Sequence, residues 1–129
     1  MNGDFALDTN IVIGYLAKDS TILPRIKAAA LIAVPCIVLG ELYFGAHKSG
    51  RTAENVAKLE ELRIQNLILE CDGETARIYG LVKQILMRKG KPIPENDIWI
   101  AAIAMQHNLI LATRDAHFDQ ISGLQREAW

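Results

Sequence analysis

Short apolar runs and longer amphipathic stretches alternate along the chain. Phe5-Ala6-Leu7, Leu31-Ile32-Ala33-Val34, Leu67-Ile68-Leu69-Glu70-Cys71 and Leu109-Ile110-Leu111-Ala112 are too short for packed helices and predict four buried strands. Between them, apolar positions recur at helical spacing. Ile11, Val12, Tyr15 and Leu16 predict a helix capped by Thr9 or Asn10. After the polar break Lys18–Thr21, a short helix is expected from Arg25 to Ala30, with Pro24 near its first turn. Pro35 stops the second strand, because proline has no backbone donor. A helix follows from Ile37 to Ala46, then a loop over Lys48–Arg51.

Arg51 to Ile64 reads as a charged amphipathic helix with Val56, Leu59, Leu62 and Ala53 inward. Asn66 marks a turn, and Asp72-Gly73 closes the third strand. Glu74 to Lys89 is a helix with Ile78, Leu81, Val82, Ile85 and Leu86 on one stripe, ended by Gly90. Pro92 and Pro94 keep the next residues extended. Pro94-Glu95-Asn96-Asp97 opens a helix that is apolar nearly all round through Met105, so it is expected to be buried on most sides; His107-Asn108 ends it. Thr113-Arg114-Asp115 is a turn, and Leu124 to Trp129 suggests a short edge strand. Apolar strands separated by helices predict an α/β fold with a parallel sheet covered on both faces. At 129 residues the expectation is one domain over 1–129.

Four acids stand out by position. Asp8 and Asp115 follow strands one and four, and in a parallel sheet both lie at the C-terminal edge, where open α/β sheets place ligand crevices. Glu41 sits in an apolar helix that starts at the same edge. Asp97 opens the buried helix; because that helix precedes strand four, its start is expected to reach the edge only by an unusual path, and the pattern leaves its location open. Each Asp also has a structural reading, as a cap or turn residue; Glu41 among apolar neighbours is harder to explain so. If the four converge, two unit charges ~4 Å apart repel by about 4 kcal/mol at an effective dielectric near 20. A divalent cation reverses that sign. Oxygen ligands favour Mg²⁺ or Mn²⁺, which serve phosphodiester chemistry by activating water and stabilising charge.

The totals narrow the classes. Hydrophobic residues make up 50% and charged residues 22%, which is the globular range. A net charge of −1 gives no global field for nucleic acid, so any affinity must come from a local patch. Cys36 and Cys71 form no disulfide framework, and a reduced cytoplasmic setting is the simpler expectation. No apolar stretch reaches the roughly 18–20 residues that span a bilayer, and no signal-peptide pattern is visible.

Leu7-Asp8-Thr9-Asn10, Val38-Leu39-Gly40-Glu41-Leu42 with Gly45-Ala46, Asn96-Asp97-Ile98-Trp99-Ile100-Ala101-Ala102 and Ala112-Thr113-Arg114-Asp115-Ala116-His117-Phe118 occur in that order. Together they resemble PIN-domain ribonucleases, most closely the VapC-type toxins of bacterial toxin–antitoxin pairs, over essentially the whole chain. The resemblance implies a PIN-like three-layer α/β/α fold with a central parallel sheet of four to five strands. It implies Asp8, Glu41, Asp97 and Asp115 as the catalytic quartet. Asp8, Asp97 and Asp115 would bind metal, Glu41 would orient or deprotonate water, and Asn10 and Thr113 would support the shell. It further implies Mg²⁺- or Mn²⁺-dependent RNA hydrolysis, a homodimer, and a VapB-type antitoxin occupying the groove. Cys36 stands where similar proteins often carry Ser or Thr; it reads as a small buried filler or as a helix-terminal thiol.

Other residues have two readings each. Lys89 and Lys91, in the densest basic cluster, read as a phosphate-binding rim or a solvated helix end; Arg114 is a further candidate RNA contact. Asp72 reads chiefly as a cap for the Glu74 helix, and Asp119 as a solvated rim residue. His107 suits a helix C-terminus, and His117 lies beside Asp115 within reach of substrate. The alternative classes are a non-catalytic RNA- or protein-binding module and another metal-dependent nuclease. A haloacid-dehalogenase-type phosphatase is disfavoured, because Asn10 stands where that branch places a second Asp.

Overall fold

A computed structural model describes residues 3–129. Five strands form one parallel sheet in the order β3-β2-β1-β4-β5. The strands are β1 (Asp4–Leu7), β2 (Leu31–Pro35), β3 (Leu67–Leu69), β4 (Ile110–Ala112) and β5 (Arg126–Glu127). The helices are α1 (Thr9–Leu16), α2 (Ile22–Ala28), α3 (Cys36–His47), α4 (Thr52–Gln65), α5 (Gly73–Arg88) and α6 (Glu95–Gln106). A 3₁₀ turn spans Ala116–Gln120, where no element is expected from the pattern. The architecture is PIN-like α/β/α.

The apolar runs do form the strands. β1 is central, with Phe5, Ala6 and Leu7 buried between β2 and β4. Pro35 ends β2 in register with Leu69, a place that needs no further ladder donor. β3 is shorter than expected, because Glu70 and Cys71 are exposed and leave the sheet. The terminal strand shrinks to two residues, parallel to β4 (Leu111 beside Arg126). Trp129 then packs edge-on against Phe5, with ring centroids 4.8 Å apart. α2 begins three residues earlier than its expected start, with Ile22 fully buried against α1. There Gly14 is required: a Cβ would lie 2.3 Å from Ile22 Cδ1.

Two expectations about helices change. α1 is capped by Asp8, whose carboxylate accepts the Thr9 N–H, not by Thr9 or Asn10. α6 needs no unusual path. It runs into β4 through Asn108, in the left-handed region at φ 54°, so its end lies at the sheet's N-terminal edge and its start at the other. Any helix that feeds a parallel strand in this way begins at the C-terminal edge. α5 packs antiparallel to it: Asp72 and Thr75 at its start meet Gln106, while Tyr79 stacks on Trp99 at 3.9 Å. Burial of Ile98 and Ile100–Ala104 anchors α6, at roughly 2 kcal/mol for each large side chain.

Candidate active site

The edge at which β1 and β4 end collects the acids. The Asp8 main-chain N–H continues the ladder to the Ala112 carbonyl at 3.0 Å, which fixes its side chain at the end of the central strand. That side chain is 5% exposed. One oxygen accepts the Thr9 N–H at 2.8 Å and the other accepts the Thr113 hydroxyl at 2.7 Å. Thr113 Oγ1 in turn accepts the Asp115 N–H at 3.0 Å, so one buried hydroxyl sets two carboxylates relative to each other. Burial raises Asp8 above the ordinary carboxylate value; the Thr113 and Thr9 hydrogen bonds pull the other way, and the Asp115 charge adds to the rise.

Asp97, at the first turn of α6, comes from the opposite side. It is pushed up to about 6, first by burial and then by the Asp8 charge, against the hydrogen bond from His117 and with a smaller push from Asp115. His117 Nδ1 lies 3.3 Å from Asp97 Oδ2 and 3.1 Å from Asp115 Oδ1. This ring nitrogen therefore lies within hydrogen-bond reach of both carboxylates. One ligand atom each from Asp97, Asp115 and His117 lies within 4.8 Å of the others. The Asp115 carboxylate also accepts the His117 N–H at 2.9 Å, which starts the 3₁₀ turn.

Glu41 lies across the same cleft. Its carboxylate accepts the Thr9 hydroxyl at 2.9 Å, which ties α3 to α1. An open cleft of about 480 Å³ is lined by Glu41, Pro94, Glu95, Asn96, Asp97, Asp115 and His117. Among the described residues, no Lys or Arg forms an ion pair with Asp8, Glu41, Asp97 or Asp115. The site is therefore a half-buried anionic cluster whose one basic neighbour is an imidazole.

The supporting residues separate. Thr113 is buried at the centre of the cluster. Asn10 accepts the Arg114 N–H at 3.4 Å, at the turn after β4. Arg114, a candidate RNA contact, has its guanidinium donating to the Trp129 carbonyl and to Thr21 and pairing with Asp19 at 3.3 Å, which ties Trp129 to the α1–α2 loop. Lys89 and Lys91 are exposed, and Lys89 reaches Ser122 Oγ at 3.1 Å. Asp72 is the cap of α5 within a full capping box. Sequence reasoning missed the bridging role of His117 and the Thr9–Glu41 tie. Adjacency of His117 to Asp115 was its one signal; its second partner comes from α6.

The PIN domain profile matches residues 5–124. The chain is 37% identical to Ribonuclease VapC2 of Haemophilus influenzae, over 97% of both chains. It is 30% identical to the tRNA(fMet)-specific endonuclease VapC of Shigella flexneri, again over 97% of both. The DNA-bound VapBC structure from Salmonella typhimurium superposes with a TM-score of 0.90 at 30% identity, covering 100% of this chain and 99% of that one. A family match across almost the whole chain, on a fold that brings its motif acids to one edge, places this protein in the PIN-domain family, among the VapC ribonucleases.

Proposed function

We propose that this chain is a metal-dependent endoribonuclease and the toxin of a toxin–antitoxin pair, acting as one domain over residues 1–129. The observation that carries the reading is the grouping of Asp97, Asp115 and Glu41 around one cleft, with Asp8 close enough to act on the charge of Asp97 and Asp115, and without a lysine or arginine ion pair among the described residues. Carboxylates so placed need a cation, and oxygen donors suit Mg²⁺ or Mn²⁺; the imidazole beside them is compatible with Mn²⁺. Asp8, Asp97 and Asp115 would hold the ion. When bound, it would lower the pKa of water and neutralise charge on the phosphodiester.

The chain's own residues do the rest. Glu41, steadied by the Thr9 hydroxyl, takes the proton of the attacking water as the P–O bond to the leaving oxygen breaks. Thr113 keeps Asp8 and Asp115 in fixed relation, and His117 Nδ1 bridges Asp97 and Asp115. Lys89 and Lys91 contact backbone phosphates outside the cleft. The Shigella relative's name makes tRNA the first substrate to try.

A second cleft of about 380 Å³, lined by Ile13, Leu16, Leu42, Ala46 and Leu59 with Glu41 at one end, is the groove for a VapB-type antitoxin. The working form is a cytoplasmic homodimer; no described helix is long and apolar enough to cross a membrane. The test is cleavage of total cellular RNA and of tRNA by purified, antitoxin-free protein, with Mg²⁺, Mn²⁺ or EDTA. Discrete fragments from wild type, lost with EDTA and reduced roughly 100-fold or more by Asp97→Asn, are expected. Absence of cleavage by folded, metal-supplied protein would favour a non-catalytic binding module.

A further inference from the structure

Outside the acidic cleft, the two cysteines of the chain face each other. Cys36 Sγ and Cys71 Sγ are 4.0 Å apart, although they are 35 positions apart in sequence. The sheet explains the meeting. Cys36 follows Pro35, the last residue of β2, and Cys71 lies just past Leu69, the last residue of β3; Pro35 and Leu69 are register partners. Neighbouring strands are about 4.8 Å apart, so residues just beyond a register pair lie within reach of a disulfide. Cys36 is half-buried as the first residue of α3, and Cys71 is exposed to solvent. No third Cys, His, Asp or Glu joins them in a ligand cluster among the described residues, so the pair is a dithiol rather than a metal site.

We propose that Cys36 and Cys71 form a reversible intramolecular disulfide under peroxide stress, clamping the start of α3 to the end of β3. One thiolate attacks a peroxide oxygen; the O–O bond breaks, leaving a sulfenic acid and, after protonation, water. The second sulfur then displaces the sulfenic hydroxyl, which leaves as water with the remaining thiol proton. In sum, two thiols and one hydrogen peroxide give one disulfide and two waters. The sulfurs must close from 4.0 Å to a bond of about 2.05 Å, a local movement at two chain junctions. The clamp falls on α3, the helix that carries Glu41, and constrains a long loop of the unfolded chain.

The full-length chain, reduced and freed of reductant, is treated with hydrogen peroxide and read by intact mass, non-reducing gel and thermal melting. The expected product is a monomer lighter by about 2 Da, with Tm raised by roughly 5–15 °C, both reversed by dithiothreitol. Cys36→Ser and Cys71→Ser, each folded in the reduced state, are expected to lose the 2 Da change and the Tm rise and to gain oxygen adducts instead. A wild type that only gains oxygen, or whose main product is a covalent dimer, would overturn the proposal. None of these readouts depends on RNA cleavage, so failure here leaves the nuclease reading untouched.

Discussion

Two clefts meet at Glu41 and share no other wall residue. One is acidic, with Asp97, Asp115 and His117 at its floor and buried Asp8 tied in through Thr113. The other lies between α1, α3 and α4 and is mostly apolar, with Ile13 on its rim 55% exposed. They arise from different physics. The acidic cleft is fixed by the sheet: β1 and β4 end side by side, and the turns after them must place Asp8 and Asp115 together. The apolar groove is fixed by helix packing alone, and it leaves hydrophobic side chains in water, which marks a surface awaiting a partner. A polar cluster held by short hydrogen bonds is suited to chemistry, and an uncovered apolar wall to binding. Glu41 at the junction would let an occupant of the groove reach the acids.

That division can be broken from either side. A large effect is expected in the groove: Ile13→Asp should weaken antitoxin capture about 10- to 100-fold while leaving RNA cleavage and Tm unchanged, measured by titration of the partner and by cleavage of the same preparation. Equal losses of capture and cleavage would merge the two clefts into one functional unit.

The next effect concerns the acids without metal. The unfolded-state value of Asp97 is 3.8 and its folded value is about 6, so between those values the folded state holds more protons. Asp97 therefore costs stability progressively as pH rises from about 4 to about 6, and the cost then stays level. Asp97→Asn should be more stable than wild type by about 2 kcal/mol in EDTA at pH 8, with the difference gone below pH 4, as read by denaturant melts. An unchanging difference across that range would show that the gain is not electrostatic. The smallest effect is at the rim: Lys89→Glu should lower cleavage a few-fold at low salt and less at high salt, because exposed charges are screened.

Much of this was legible in the chain. Apolar runs marked four strands, and residues at strand ends marked Asp8 and Asp115, because a parallel sheet sends every strand C-terminus to one edge. Asp97 was recognised by motif while the strand pattern left its place open, although the direction of α6 follows from the strand it feeds. Its contact with His117 was not readable, because that contact joins α6 to a turn 20 positions away. Arg114 was read only as a candidate RNA contact; its bonds to Asp19, Thr21 and Trp129 depend on where the C-terminal residue packs, and no local pattern states that. Cys36 and Cys71 looked unrelated because their meeting depends on β3 lying next to β2. Local chemistry was readable, while lateral order in the sheet was not.

The central claim is that the acidic cleft is a divalent-cation site. The most direct measurement is thermal melting of metal-free wild type and Asp97→Asn at pH 7.5 across a Mn²⁺ titration. A saturable rise of roughly 5 °C in wild type, largely lost in Asp97→Asn, is the expected result. No rise in wild type, or an equal rise in both proteins, would contradict it.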